Sequence, residues 1–269
     1  MNSSPIGVFD SGVGGLSVLR HIRAELPHEN LLYIADSAHA PYGGKSAEEI
    51  CARALALSEF LIAQKAKTLV VACNTATAAA ISMLRARFEI PVIGMEPAVK
   101  PAVAATRSGV VGVLATTGTL QSARFAALLE NYGQNVRVVT QGCPGLVECV
   151  ERGELTSPET RNLLNDYVQP LLQQGADTLV LGCTHYPFLK PLIREIAGEN
   201  IALIDTGTAV AQQVRRRIAA AELLSPEITP GNVRFWTTGD VEQGREVVGR
   251  LWGEAVVERI FLGYSMYNN

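Results

Sequence analysis

The sequence predicts an α/β fold with two pseudo-symmetric domains, each with a mainly parallel sheet flanked by helices. The chain has 269 residues, more than the roughly 150 residues expected of one domain. Short β-rich runs alternate with longer helical patterns, which is typical of βα units on a parallel sheet. The pattern restarts 105 residues further along, where Gly112 takes the place of Gly7. Such a restart indicates a duplicated unit.

The first copy contains three strand-like runs, each followed by a helical pattern. Ser46 and Glu49 form a capping box that marks the start of the second helix. The strand-like runs are IGVF, LLYIA and TLVVA, and the helices are predicted over Leu16 to Leu26, Ala47 to Ala63 and Thr75 to Phe88.

The second copy repeats this order. Residues 110–140 parallel residues 5–35, and Ser157 with Pro158 predicts a capped helix with proline in its first turn. The segment 96–109 between the copies contains prolines that predict a crossover between domains.

The tail after about Thr206 has no counterpart before the second copy. It contains a helical pattern over Val210 to Leu223, the run VRFWTT, a further helical pattern and the run VVERI. We expect this tail to return and complete the first sheet. The predicted domains are residues 1–97 with 207–269, and residues 98–206.

Charge and composition argue against several partners. The chain has 23 basic and 26 acidic residues and a net charge of −3, without a long basic run, so no nucleic-acid partner is expected. The N-terminus lacks a basic segment followed by an apolar stretch, so no secretory signal is expected. The most apolar window, Leu69 to Leu84, is short and contains Asn74, so no membrane span is expected either. A cytoplasmic location is the default.

The five cysteines show no C-x-x-C motif and no histidine at zinc spacing. In a reducing cytosol they should be thiols. Cys73 and Cys183 are distinct, because each ends an apolar strand-like run at equivalent places in the two copies. Cys51 and Cys149 fall in helical patterns and are interpreted as packing residues, whereas Cys143 lies in a loop and fits either interpretation.

Polar residues follow these strands, where an open parallel sheet binds its ligands. A cysteine at the turn into a helix is favoured as the thiolate by unpaired N–H groups and the helix dipole. Those N–H groups, with Asn74, Thr75 and Thr184, could hold a carboxylate. His185 and Asp10 could exchange protons with a thiol, and helix capping is the alternative role for both.

Three patterns that suggest cofactors are incomplete. The glycines from Gly12 to Gly15 resemble a dinucleotide loop, but Ser17 replaces the third glycine and Asp36 is the only candidate for the ribose-binding acid. The sequence Gly44-Lys45-Ser46 resembles the end of a P-loop, but His39 replaces its first glycine. No lysine is well placed for a pyridoxal phosphate Schiff base.

Five motifs together carry a resemblance to a known family. They are GVFDSGVGGLSVLR, ADSAHAPYGGKS, VVACNTATA, GVLATTGTLQS and LGCTHYPFL, found in this order between about Ile6 and Thr208. The combination resembles the glutamate racemases, of the cofactor-independent aspartate/glutamate racemase superfamily. The VACNTA and GCTHYP pair is its most specific part.

The resemblance implies two α/β domains related by a pseudo-twofold axis, with the active site in the cleft between them. It implies two acid/base cysteines, an aspartate and a histidine that assist them, and a glutamate that supports the histidine. The implied catalytic residues are Cys73, Cys183, Asp10, His185 and Glu151. Glu148 remains an alternative to Glu151. The implied substrate-binding residues are Asp10, Ser11, Tyr42, Gly43, Asn74, Thr75, Thr116, Thr117, Thr119, Thr184 and His185.

The implied reaction interconverts L-glutamate and D-glutamate without a cofactor or metal. Cys73 would remove the α-proton of D-glutamate while Cys183 delivers one to the opposite face, and L-glutamate would reverse the roles. The resemblance further implies a bacterial, cytoplasmic homodimer that supplies D-glutamate for peptidoglycan. Relatives that need a cell-wall nucleotide activator have a long N-terminal extension. Since Asp10 already occurs at residue 10, no activator dependence is expected.

Three alternatives stay open. An aspartate or hydantoin racemase is possible within the same family, because loops determine the substrate side chain. A non-catalytic anion-binding module and a nucleotide-dependent enzyme that uses Lys45 are the alternatives from other classes.

Overall fold

The computed structural model describes residues 3–262. Its strands are β1 (Ile6–Asp10), β2 (Leu31–Ala35), β3 (Thr68–Val71), β4 (Val92–Ile93), β5 (Val110–Ala115), β6 (Arg137–Gly142), β7 (Thr178–Leu181), β8 (Ala202–Ile204), β9 (Val233–Thr237) and β10 (Val257–Arg259). Its α-helices are α1 (Leu16–Glu25), α2 (Ala47–Ala63), α3 (Asn74–Arg87), α4 (Val99–Ala105), α5 (Thr117–Leu120), α6 (Ala123–Tyr132), α7 (Leu146–Glu151), α8 (Pro158–Gln173), α9 (Lys190–Ala197), α10 (Gly207–Ala220) and α11 (Val241–Leu251). Short 3-10 helices lie at Val13–Gly15, Ser37–His39, Tyr42–Gly44 and Tyr186–Leu189.

The strands form two parallel sheets. The first has the order β10-β9-β2-β1-β3-β4, and the second has the order β6-β5-β7-β8. We call each sheet with its helices a lobe: the first lobe contains β1–β4, β9 and β10, and the second contains β5–β8. The predicted α/β class, with two parallel sheets flanked by helices, is confirmed.

The two sheets repeat one topology. Strand β1 lies between β2 and β3, and strand β5 lies between β6 and β7. Gly7 is opposite Leu69 in the first sheet, as Gly112 is opposite Leu179 in the second. A Cβ atom at Gly112 would lie 2.7 Å from the Leu179 side chain. The glycine is therefore required where a neighbouring side chain packs over the central strand.

The tail returns to the first lobe, where β9 pairs with β2 and β10 pairs with β9. Helix α4 packs on β5 and β7, while α10 packs on α1. The domain boundaries at 97/98 and 206/207 stay a prediction.

Three helices differ from the predicted bounds: α1 ends at Glu25 and not at Leu26, α3 ends at Arg87 and not at Phe88, and both ends of α10 come earlier than predicted. Helix α3 begins at Asn74, because Cys73 already acts as its cap and accepts from the Ala76 N–H. Helix α10 begins at Gly207 and ends at Ala220, since Glu222 adopts a left-handed conformation with φ of 57° that the helix cannot continue through.

One hydrophobic cluster contains side chains from both lobes, among them Val8 of β1 and Leu114 of β5. The lobes therefore share apolar packing beneath the ends of their strands. Within residues 3–262, no helix has the length and apolar character needed to cross a membrane.

Candidate active site

The carboxyl ends of the central strands of both lobes meet around a narrow cavity of about 10 Å³. The predicted site residues that line it are Ser11, Tyr42, Gly43, Cys73, Asn74, Thr75, Thr116, Cys183, Thr184 and His185. Pro41, Val147 and Gly182 also line it and were not predicted. Asp10, Glu151, Thr117 and Thr119 lie outside this lining.

Equivalent backbone hydrogen bonds place the two cysteines. The Ala72 N–H donates to the Phe9 carbonyl at 2.8 Å, and the Gly182 N–H donates to the Leu114 carbonyl at 2.7 Å. Each bond fixes the residue before a cysteine to the central strand of its own lobe. As a result, Cys73 and Cys183 enter the cavity from matching positions in the duplicated unit.

Cys73 is the cap of α3, and its sulfur accepts the Ala76 N–H at 3.4 Å. Its Sγ lies 3.7 Å from the Ser11 hydroxyl oxygen. Burial and the nearby Asp10 carboxylate nevertheless raise the pKa of the Cys73 thiol well above its usual value. The sequence argument from the helix dipole predicted a favoured thiolate. That direction is wrong for this residue, because burial and the neighbouring negative charge outweigh the single N–H donor.

Asp10 is fully buried at the end of β1. One carboxylate oxygen accepts the Ser11 N–H at 2.7 Å, and the other accepts the Gly15 N–H at 2.5 Å and the Thr184 hydroxyl at 3.1 Å. Burial raises the pKa of Asp10, while the charge of His185 opposes that rise. Asp10 therefore lies behind the cavity wall and influences Cys73 through charge.

Cys183 differs from Cys73 in its local support. It lies ahead of the short 3-10 helix Tyr186–Leu189, and α9 begins only at Lys190. The predicted α-helix N-terminus at this cysteine is thus absent from the described structure. Its Sγ instead lies 3.6 Å from Nδ1 of His185. The histidine takes the place that a helix N-terminus has at Cys73.

His185 is buried and pairs with a carboxylate of the same lobe. Its Nε2 lies 2.6 Å from Oε1 of Glu151, the last residue of α7. Burial lowers the pKa of His185, but the contacts with Cys183 and Glu151 outweigh it and hold the pKa well above the usual 6.5. The carboxylate that reaches this histidine belongs to Glu151 and not to Glu148.

Glycines in the loop after β1 permit the first lobe to contact this pair. A Cβ atom at Gly12 would lie 2.0 Å from Oε1 of Glu151, and one at Gly14 would lie 2.3 Å from Nδ1 of His185. The glycine run that resembles a dinucleotide loop is therefore explained by close packing on the His185–Glu151 pair.

Asn74 and three threonines form the polar side of the cavity. The Asn74 side chain is 5% exposed, and neither its amide oxygen nor its amide nitrogen has a hydrogen-bond partner among residues 3–262. Such a buried, unpaired amide requires a partner, which a bound ligand can supply. The Thr75 hydroxyl lies 2.9 Å from that of Thr116 and 3.1 Å from that of Thr119. These bonds connect the two lobes at the edge of the cavity.

Thr117 is exposed on α5 and points away from the lining set. Thr119 is buried, and its hydroxyl bonds to those of Thr75 and Thr116. Of the three threonines predicted in this loop, only Thr116 lines the cavity.

Tyr42 lines the cavity, but its hydroxyl is committed elsewhere. It donates to Oδ2 of Asp36 at 2.5 Å. The same carboxylate accepts from Arg53 at 2.7 and 3.0 Å and from the Thr238 hydroxyl at 2.8 Å. The support that Asp36 and Arg53 give to Tyr42 was not predicted, because Asp36 was considered only as a ribose-binding acid. The position of this acid, at the end of a strand and six residues before Tyr42, could have indicated the contact.

The remaining candidates have structural roles. Ser46 caps α2 and forms the predicted capping box with Glu49, so the P-loop-like segment is the start of a helix. Cys149 is fully buried, and the Cys51 thiol donates to the Ala79 carbonyl at 3.4 Å. Burial raises the pKa of Cys143 to about 12, which makes its thiol unreactive at neutral pH.

Known proteins similar to this chain share its family and its fold. The profile of the Asp/Glu/Hydantoin racemase family matches residues 6–214. The chain is 59% identical over 264 residues to the glutamate racemase of Ectopseudomonas mendocina, a match that covers 97% of this chain and 100% of that protein. It is 59% identical over 251 residues to the glutamate racemase of Methylococcus capsulatus, with 93% of each protein covered.

Solved structures of glutamate racemases have a fold similar to that of this chain. Glutamate racemase isoform RacE1 from Bacillus anthracis matches with a TM-score of 0.88 at 35% identity, over 97% of this chain and 99% of that one. Escherichia coli glutamate racemase, in complex with L-glutamate and the activator UDP-MurNAc-ala, matches with a TM-score of 0.85 at 31% identity over 97% and 99%. The Francisella tularensis enzyme in complex with D-glutamate gives 0.84 at 29% identity over 99% and 100%. The resemblance carried by the five motifs is confirmed, and the chain belongs to the Asp/Glu/Hydantoin racemase family of isomerases.

Proposed function

We propose that this protein is a glutamate racemase that moves the α-proton of glutamate between two thiols, Cys73 and Cys183. The observation that carries the proposal is that both sulfurs line one buried cavity, each from the end of an equivalent strand. The similar enzymes from E. coli and F. tularensis bind L-glutamate and D-glutamate respectively, which supports glutamate as the substrate.

The surroundings of the two thiols differ. The raised pKa of Cys73 keeps that residue a neutral thiol. The raised pKa of His185 keeps an imidazolium ion 3.6 Å from the Cys183 sulfur. We propose that Cys73 is the acid and Cys183 the base when L-glutamate binds.

The reaction of L-glutamate then follows directly. The Cys183 thiolate removes the α-proton and becomes a thiol, and the Cα–H electron pair remains on the substrate as a carbanion. The Cys73 thiol gives its proton to the opposite face and becomes a thiolate, which completes D-glutamate. The reverse reaction starts from this second state, with Cys73 as the base. Asp10 beside Cys73 and His185 beside Cys183 assist the proton exchange that resets the enzyme.

The main energetic difficulty is the carbanion. A Cα–H bond is a far weaker acid than a thiol, and each unit of pKa mismatch costs about 1.36 kcal/mol. Preorganised donors around the α-carboxylate can lower this cost, because they do not need to reorient as the negative charge develops. The buried Asn74 amide, the Thr75 side chain and the N-terminus of α3 are such donors.

The product indicates the biological role. D-glutamate is the amino acid that a bacterial cell needs for peptidoglycan, so we propose a cytoplasmic enzyme of cell-wall synthesis. We also propose that the enzyme acts as a homodimer and has no nucleic-acid or membrane partner.

Circular dichroism of glutamate tests the proposed function. Purified protein without any added cofactor should remove the optical signal of either L-glutamate or D-glutamate. A constant signal with glutamate, together with decay of an aspartate signal, would assign the enzyme to aspartate instead. Constant signals with both amino acids would contradict the racemase proposal.

A further inference from the structure

The Glu151 carboxylate is held by two donors from the other lobe. The Val13 N–H donates to Oε1 at 2.6 Å, and the Ser37 hydroxyl donates to Oε2 at 2.9 Å. Both donors lie in the first lobe, whereas Glu151 ends α7 in the second. Each oxygen of the carboxylate therefore has a partner across the boundary between the lobes.

Ser37 is well fixed for this contact. It follows β2 and begins the 3-10 helix Ser37–His39. The next residue, Ala38, donates its N–H to the Thr238 hydroxyl at 3.2 Å, and the His39 N–H donates to the Asp36 carbonyl at 2.8 Å. Ser37 is outside the lining of the substrate cavity, so its hydroxyl serves Glu151 and has no direct contact with a ligand there.

The two donors restrict how Glu151 can turn. With both oxygens bonded, Oε1 stays 2.6 Å from Nε2 of His185, and Nδ1 of the same ring stays 3.6 Å from the Cys183 sulfur. A carboxylate that lost its Oε2 donor could rotate about its terminal bond, and the imidazole would lose a fixed partner. Proton transfer requires such fixed geometry at Cys183.

The carboxylate beside Cys73 depends less on hydrogen bonds from the opposite lobe. Asp10 accepts the Ser11 and Gly15 N–H groups of its own lobe, and within the described part of the chain only Thr184 donates to it from the other. The acid/base support of Cys183 is thus the part of the site that is completed by contact between the lobes.

We propose that Ser37 is a positioning residue for proton transfer at Cys183. Its hydrogen bond orients Glu151, and through Glu151 it orients His185, only while the two lobes are in contact. The inference rests on the proposed racemase function, and it adds a residue of the first lobe that acts on a cysteine of the second.

Steady-state kinetics of three hydroxyl variants test this inference. Ser37→Ala and Ser37→Gly remove the hydroxyl, and Ser37→Thr keeps one. Ser58→Ala is the matched control, because Ser58 is buried in α2 and its hydroxyl donates to the Ala54 carbonyl at 2.7 Å, away from the cavity. Both kcat and KM are measured for L-glutamate and D-glutamate, with and without deuterium at the α-carbon.

Loss of the Ser37 hydroxyl should lower kcat by about three- to tenfold, a range that corresponds to the net contribution of one ordinary hydrogen bond. KM should change by less than about twofold, since Ser37 does not contact the substrate. The isotope effect on kcat should stay at or above the wild-type value, because the proton-transfer step becomes slower. Ser37→Thr should recover most of the lost kcat, and Ser58→Ala should match the wild type.

Two results would overturn the inference. One is a rise in KM with unchanged kcat in Ser37→Ala and Ser37→Gly, which would place Ser37 in substrate binding. The other is wild-type kinetics in both variants. A wild-type protein without glutamate racemisation would instead contradict the proposed function, so the two failures are distinguishable.

Discussion

The buried ion pair between Asp36 and Arg53 makes a specific prediction about stability. The side chains are 0% and 4% exposed, and they are joined by contacts of 2.7 and 3.0 Å. Asp36→Asn retains the shape of the side chain but removes its charge. The buried Arg53 guanidinium would then lose the charge of this carboxylate, and the Tyr42 hydroxyl would lose its charged acceptor.

The expected magnitude follows from these contacts. Breaking a buried ion pair by removing one partner costs about 3–5 kcal/mol. Since the asparagine oxygen can still accept one hydrogen bond, we expect about 3 kcal/mol of lost unfolding free energy, the lower end of that range. For a chain of this size, such a loss corresponds to a fall in Tm of roughly 6–12 °C.

Differential scanning calorimetry and urea unfolding at pH 7 measure this loss. Glu59→Gln is the control, because its pair with Arg87 spans 3.9 Å between side chains that are 42% and 60% exposed. An exposed pair of this kind contributes about 0–1 kcal/mol. A loss below about 1 kcal/mol in Asp36→Asn would refute the reasoning that a buried charge depends on this carboxylate.

Three further predictions concern glycines, pH and a non-catalytic thiol. Gly12→Ala should reduce kcat by about tenfold or more in the racemase assay, because its Cβ would lie 2.0 Å from Oε1 of Glu151. Gly249→Ala, which meets no atom within 4 Å in helix α11, should instead raise the unfolding free energy by about 0.5–1 kcal/mol; equal activity in the two variants would contradict the packing argument. The pKa of His185 is raised in the folded state. The stability that protonated His185 contributes is therefore complete below its unfolded pKa of about 6.5 and is lost as the pH rises through its folded pKa. The stability difference between wild type and His185→Asn should therefore shrink as pH rises above 6.5 in urea unfolding, and a difference that grew would have the wrong sign. Cys143→Ala should retain kcat within about twofold, since a thiol with a pKa of about 12 takes no part in proton transfer near neutral pH; a large loss would require a catalytic role for Cys143.

The sequence predicted the site best where reactive or polar residues occur at equivalent positions of the duplicated unit. The restart of the α/β pattern identified the duplicated unit, and strand-end reasoning placed Cys73, Cys183, Asn74 and Thr75 at one cavity. Both inferences depend on short-range patterns and on the general rule that parallel sheets bind ligands at their carboxyl edge.

Contacts between segments far apart in the sequence could not be predicted from these local patterns. Glu151 is 114 residues from Ser37 in the chain, and their bond exists only because the two lobes pack together. The pKa of Cys73 was misjudged for the same reason. Its helix cap could be recognised locally, but its burial and the charge of Asp10 arise from tertiary packing.

The glycine run after β1 shows what a local pattern reveals and which contacts it leaves unpredicted. The run from Gly12 to Gly15 was recognised as unusual, and its match to a cofactor loop was found to be incomplete. Its actual role, close approach to His185 and Glu151, depends on a loop from the other lobe.

The fate of the substrate α-proton tests the two-thiol account most directly. L-glutamate is incubated with the enzyme in deuterated water, and the product and residual substrate are analysed by mass spectrometry at low conversion. Because Cys73 delivers a proton exchanged with solvent and Cys183 retains the one it removed, we predict that each D-glutamate formed carries deuterium at its α-carbon. Cys73→Ser and Cys183→Ser should each lose racemisation. Product that retained the original α-proton, or either variant racemising at the wild-type rate, would contradict a mechanism with one base on each face.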